Sequence, residues 1–180
     1  VFFYEMALRL GIEKITVMAN RLGLGVKHKL PLSGVARGLS PTKDWKLQTQ
    51  GRSWVLGDTL NVGIGQGYVL ASPMQLAVMA SRIASGKSVE PRLIKRIDGL
   101  DQQVSAQKEL GIHPYSLGLV RKGMYDVSNG VKGTARKSKM AISEILMAAK
   151  TGTSQVRNIT KKERKTGVIP NEKLPWKRRD

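Results

Sequence analysis

Ser72-Pro73-Met74-Gln75 begins a helix and Gly86 ends it, and no other stretch of the chain restricts its fold as strongly. A serine at the N-cap accepts from orphan backbone N–H groups, proline fits the first helical position, and glutamine at N3 reaches back to the cap. The spacing predicts a helix over residues 73–85. Its apolar side chains, Met74, Leu76, Val78, Met79 and Ile83 with several alanines, surround it nearly completely. Such a helix is expected to be buried, which requires other layers packed around it.

The rest of the chain supplies those layers. Residues 1–10 and 12–22 have helical periodicity and are separated near Gly11, with Gly23 placed to end the second helix. Glycine and proline punctuate 24–41 as loop, and 45–54, polar and mixed, is also read as loop. After Pro91, "RLIKRIDG" alternates apolar and charged residues like a half-exposed strand. Pro114 opens a helix with Leu117, Val120, Met124 and Val127 on one side, ending near Gly130. "ISEILMAA", 142–149, is an apolar run read as a strand leading into Lys150, and 157–175 is read as a charged loop. Buried helices mixed with a few strands give an α+β or α/β layer protein.

With 180 residues, of which 41% are hydrophobic, the chain is long enough for one domain or a large piece of one. The net charge is +18, a surface that attracts polyanions. No zinc-ligand pairing, aromatic RNA-binding strand or heptad accompanies that charge, so it is read as a solvated basic face and no specific nucleic acid is expected. Cysteine is absent, and His28 and His113 stand far apart, against a metal pair or a histidine-based triad. No cofactor and no metal are expected. No apolar run reaches the ~18 residues of a membrane span. The first helix starts at Val1 without a cap and "PWKRRD" follows a charged run without a closing element, so a fragment is expected.

Two glycine patterns fail as phosphate loops. Gly63, Gly65 and Gly67 lack the third glycine at the dinucleotide spacing, and "SGKS" at 85–88 has Ser81 where the leading glycine belongs.

Two Lys-Thr-Gly triplets remain. Lys165-Thr166-Gly167 sits among like charges in "KKERKTGVIP" and reads as solvated loop. Lys150-Thr151-Gly152 leaves an apolar run and continues into Thr153-Ser154-Gln155-Val156. On a strand, Thr151 and Thr153 share one face, Lys150 supplies a positive charge, and Gly152 admits another backbone. That set suits a carboxylate: an extended peptide is expected to lie along the strand edge with its C-terminus gripped there.

The pieces "PTKDW" (41–45), Gly57-Asp58-Thr59, Ile64-Gly65-Gln66-Gly67-Tyr68, Pro73 with Gln75, and Lys150-Thr151-Gly152-Thr153 occur in an order that resembles the transpeptidase domain of class B penicillin-binding proteins of the elongation type, the penicillin-binding protein 2 group. The likeness runs from Val1 to about Val156. It implies an α+β fragment of the serine β-lactamase/penicillin-binding fold, an antiparallel sheet with packed helices, lacking the part with the nucleophile and the last strands. Family enzymes carry S-x-x-K, S-x-N or S-x-D, and K-T-G. Ser40-Pro41-Thr42-Lys43 and Ser105-Ala106-Gln107-Lys108 spell the first motif, but Ser40 lies in a loop and Ser105 in "DQQVSAQKE", too polar for a nucleophile helix. No second motif separates either from Lys150, so both are read as decoys.

The resemblance further implies a serine D,D-transpeptidase that cross-links peptidoglycan stem peptides at their D-Ala-D-Ala ends and is acylated by β-lactams. Lys150 is then expected to supply charge and a proton link, Thr151 and Thr153 to bind the carboxylate, and the Thr153 backbone N–H to form half of the oxyanion hole. Ala149 departs from the glycine frequent in relatives. Asp58 and Gln66 are expected to be scaffold. The full-length protein is expected at the periplasmic face of the bacterial inner membrane, with a membrane glycosyltransferase and elongation-complex partners, while this fragment alone is expected to be inactive. A β-lactamase or β-lactam sensor and a basic nucleic-acid-binding module are the alternatives.

Overall fold

The computed structural model describes residues 1–103, 106–142, 144–152 and 160–176. The chain divides into two compact units, Val1–Gly123 and Met124–Asp180.

The first unit starts with α1 (Phe2–Leu10) and α2 (Ile12–Arg21), joined at Gly11. α4 (Leu56–Gly63) packs on α1. The approach is close enough that a Cβ on Gly63 would collide with the Ala7 Cβ. The glycine that looks like part of a nucleotide loop is therefore a packing site. Ala7, Ile12 and Val62 are buried around it.

Between α2 and α4 in chain order, where the sequence suggests loop, the structure has α3 (Lys43–Gln50). Thr42 caps it, accepting from the Trp45 N–H at 3.0 Å, and Gly51 closes it in the left-handed region (φ 62°). Its polarity hides it because the one side chain it buries is a lysine, Lys46.

α5 (Pro73–Ser85) has the predicted bounds and the predicted reciprocal cap: Gln75 N–H donates to Ser72 Oγ at 3.3 Å and Ser72 N–H to Gln75 Oε1 at 3.0 Å. Burial on all sides is not observed. The covered face is Gln75, Val78 and Arg82, while Leu76 is 47% exposed. Polar side chains occupy that face because they satisfy loop carbonyls, with Gln75 Nε2 donating to Val26 O at 3.0 Å and Arg37 O at 2.7 Å.

The strand expected after Pro91 shortens to a ribbon of β1 (Arg96–Ile97) and β2 (Leu100–Asp101), antiparallel, with Arg96 opposite Asp101 and Ile97 opposite Leu100. Asp98 (φ 50°) and Gly99 (φ 80°) form the two-residue turn. Helix α6 (Pro114–Asn129) follows, its Leu117 buried and Arg121 Nε donating to Ile83 O at 2.8 Å. The fold is α+β, helices with a small antiparallel ribbon. No helix among the described residues is long and apolar enough to cross a membrane.

In the second unit, the segment before Lys150 is not a strand. No described segment pairs with it, and Ile145 and Leu146 stay about half exposed or more. Its backbone is tied instead to the end of α6: Ala149 N–H donates to Met124 O at 2.9 Å, and Asn129 Nδ2 to Met147 O at 2.8 Å. Within the stretch read as charged loop, α7 (Lys161–Thr166) forms, because Thr160 and Glu163 make a capping box.

Candidate functional site

Among the described residues, Lys150-Thr151-Gly152 lies on an irregular segment, and the expected continuation of the strand from Thr153 to Val156 falls outside them. Lys150 is exposed and its Nζ donates to the Thr151 carbonyl at 2.5 Å. Thr151 Oγ1 lies 3.1 Å from Thr134 Oγ1. A Cβ on Gly152 would meet no atom of the described residues within 4 Å. A cation, a hydroxyl and uncovered backbone thus occur in consecutive residues, the donor set an anionic group requires. Thr153, with its expected oxyanion-hole N–H, lies outside the described residues. The rigidity expected of a strand is replaced by the two ties to α6.

The sequence does not single out Thr134, whose one cue is a Gly-Thr pair just past the Gly130 helix stop. Gly133 is required there because a Cβ would collide with the Val127 and Asp126 carbonyl oxygens at the end of α6. Ala135 N–H donates to Val127 O at 3.0 Å and fixes the residue on the other side of Thr134.

The other lysine-threonine-glycine triplet differs in kind. Lys165 and Thr166 end α7, and Gly167 (φ 95°) follows as its cap. Ser40 is half-buried in the extended segment where Leu39 bridges Leu70, and Lys43 is exposed at the first position of α3. Serine and lysine therefore do not share one helix. Ser105 lies outside the described residues.

Asp58 ties α4 to α3. Its Oδ2 accepts from Lys46 Nζ at 2.5 Å and from the Val55 N–H at 2.8 Å. Lys46 Nζ lies 5.9 Å from the Trp54 ring centre and 5.6 Å from that of Tyr68. The hydrogen bond to Asp58 holds the Lys46 ammonium above its ordinary range, against the opposing effect of burial and helped by the Asp58 and Tyr68 charges. Burial pushes the Asp58 carboxyl up, but the hydrogen bonds from Lys46 and Val55, with the Lys46 charge, prevail and lower it. Gln66 contributes its backbone N–H, which donates to Asn61 O at 2.9 Å and closes α4.

The two histidines are separate. His28 is buried, with Nδ1 3.1 Å from Glu90 Oε2 and Nε2 3.0 Å from Gly23 O. Arg82 NH2 donates to Glu90 Oε1 at 2.6 Å and Arg82 NH1 to Arg21 O at 2.8 Å, so this network ties α5 to the end of α2. His113 Nδ1 accepts from the Tyr115 N–H at the start of α6.

Residues 1–171 match the penicillin binding protein transpeptidase domain. Peptidoglycan D,D-transpeptidase MrdA of Salmonella typhimurium is 35% identical over 167 residues, covering 86% of this chain and 26% of that protein. The MrdA of Haemophilus influenzae is 31% identical over 171 residues, 91% of this chain and 26% of the relative. Among solved structures, penicillin-binding protein PBP2 of Helicobacter pylori, in a complex with MreC, aligns with a TM-score of 0.74 at 35% identity, over 86% of this chain and 28% of that one. PBP2 of Pseudomonas aeruginosa, in complex with WCK 5153, gives 0.69 at 38% identity over 76% and 32%. The chain spans about a quarter of the length of these curated relatives.

Proposed function

This chain belongs to the penicillin binding protein transpeptidase domain family, and on that premise we propose that it is a segment of a peptidoglycan D,D-transpeptidase acting through a serine acyl-enzyme. The observation that carries the reading is the exposed Lys150-Thr151-Gly152 triplet, with its free approach at Gly152 and a hydroxyl beside a cation. Lys150 attracts the substrate carboxylate, and Thr151 and Thr153 donate hydrogen bonds to it. A serine outside these 180 residues attacks the penultimate D-alanine carbonyl. Its proton leaves to a base as the new ester bond forms, and the terminal D-alanine departs as an amine. The Thr153 backbone N–H stabilises the oxyanion formed in that step. An amine of a neighbouring stem peptide then takes the acyl group and releases the serine.

Penicillins present a carboxylate and a strained amide to the same groups, so their acyl-enzyme forms in place of the natural one. Elongation-complex proteins and a membrane glycosyltransferase are the partners we assign to the whole protein, at the periplasmic face of the inner membrane. The MreC complex of the H. pylori relative supports a partner of that kind. β-Lactamase, sensor and nucleic-acid-binding readings are not favoured beside relatives that are transpeptidases.

The 180-residue polypeptide by itself does not acylate in this account. Intact mass after exposure to a labelled penicillin tests it: the expected spectrum is unmodified protein, and an adduct on Ser40 or Ser105 would contradict the assignment of the nucleophile elsewhere.

A further inference from the structure

We propose that Thr134 is a positioning residue for the Thr151 hydroxyl, turning its hydrogen outward toward the carboxylate of a peptide C-terminus or a penicillin. The inference rests on the carboxylate-clamp reading of Lys150 and Thr151. The two Oγ1 atoms are 3.1 Å apart, and both hydroxyls are at the surface. A threonine hydroxyl has one hydrogen and two lone pairs. When Thr134 donates to Thr151 Oγ1, a lone pair of Thr151 is occupied and its hydrogen is free for an anion. The two O–H dipoles then align and strengthen each other.

The last turns of α6 hold both partners of this pair. On one side, Gly133 N–H donates to Gly130 O at 2.9 Å and Ala135 N–H to Val127 O at 3.0 Å, bracketing Thr134. On the other, Asn129 Nδ2 donates to Met147 O and Ala149 N–H to Met124 O, fixing the run into Lys150. Lys150 Nζ bonds the Thr151 carbonyl rather than its hydroxyl, so the ammonium does not compete for the oxygen that Thr134 contacts. The separation of 17 residues is closed by one helix end that grips both segments.

The test uses the full transpeptidase that contains this chain, with acylation by a labelled penicillin followed over concentration to separate the apparent dissociation constant from the maximal rate. Thr134→Val keeps the shape and removes the hydroxyl. It is expected to weaken binding about 3- to 10-fold, the factor of one neutral hydrogen bond, with the maximal rate unchanged. Thr134→Ser is expected to behave as wild type. In a Thr151→Val background, Thr134→Val is expected to add nothing, because the oxygen it orients is gone. A Thr134→Val effect that persists in full on that background, a loss confined to the maximal rate, or a Thr134→Ser defect as large as that of valine would each overturn the role. If Thr151→Val weakens acylation and Thr134→Val does not, the positioning role alone fails. If Thr151→Val itself changes nothing, the clamp fails with it.

Discussion

Lys46 Nζ and Asp58 Oδ2 lie 2.5 Å apart, in an ion pair whose side chains are 6% and 12% exposed. α3 and α4 are thereby joined under the aromatic cover of Trp54 and Tyr68. Removing one partner leaves a charge with poor access to water, which is worse than removing both. Thermal unfolding of Lys46→Met, Asp58→Asn and the double variant is expected to show a double-variant loss smaller than the sum of the singles. Strict additivity would contradict the pairing.

The same pair sets a pH window. Asp58 is lowered from 3.8, so its contribution is present above that value and disappears as pH falls through the still lower folded value. Lys46 is raised from 10.5, so its contribution is present below that value and disappears as pH rises through the higher folded one. The stability difference between wild type and the double variant is expected to be flat across neutral pH and to shrink only in strong acid and strong base. A change centred near neutrality would contradict it.

Gly63 and Ala7 bring α1 and α4 together at a separation that leaves no room for a methyl group. Gly63→Val is expected to push the helices apart at a cost of about 1–3 kcal/mol, measured by denaturant unfolding. An unchanged midpoint would mean that the two helices do not pack at that distance.

Gln75 is fully buried and its amide bonds the Val26 and Arg37 carbonyls and the Ser72 N–H. Gln75→Leu keeps the volume and strands those groups, so about 1–3 kcal/mol of destabilisation is expected for each left unsatisfied. Ser72→Ala, which loses only a cap, is expected to cost about 1 kcal/mol. Equal effects of the two would contradict the buried role of Gln75.

Where a feature is decided within a few residues, it is legible in the sequence. Ser72, Pro73, Gln75 and Gly86 bound α5 by backbone capping chemistry, and the structure has the same bounds. Lys46, Gln75 and Arg82 defeat hydrophobic pattern because each buries a polar group whose partner lies elsewhere in the chain. The run 142–149 reads as a strand from its apolar content, but a strand needs a neighbour to hydrogen-bond, and here the end of α6 takes that backbone instead. Lys150, Thr151 and Gly152 are readable through their order after the other family pieces. Thr134 is not, because a contact between hydroxyls 17 residues apart leaves no local mark.

The claim that Lys150 and Thr151 grip a carboxylate is tested most directly by acylating the full transpeptidase with a penicillin and with its methyl ester. The wild type is expected to prefer the free acid, and Lys150→Ala is expected to reduce that preference by about 10- to 100-fold, the worth of a charged hydrogen bond. A free-acid preference that survives Lys150→Ala intact would contradict the account.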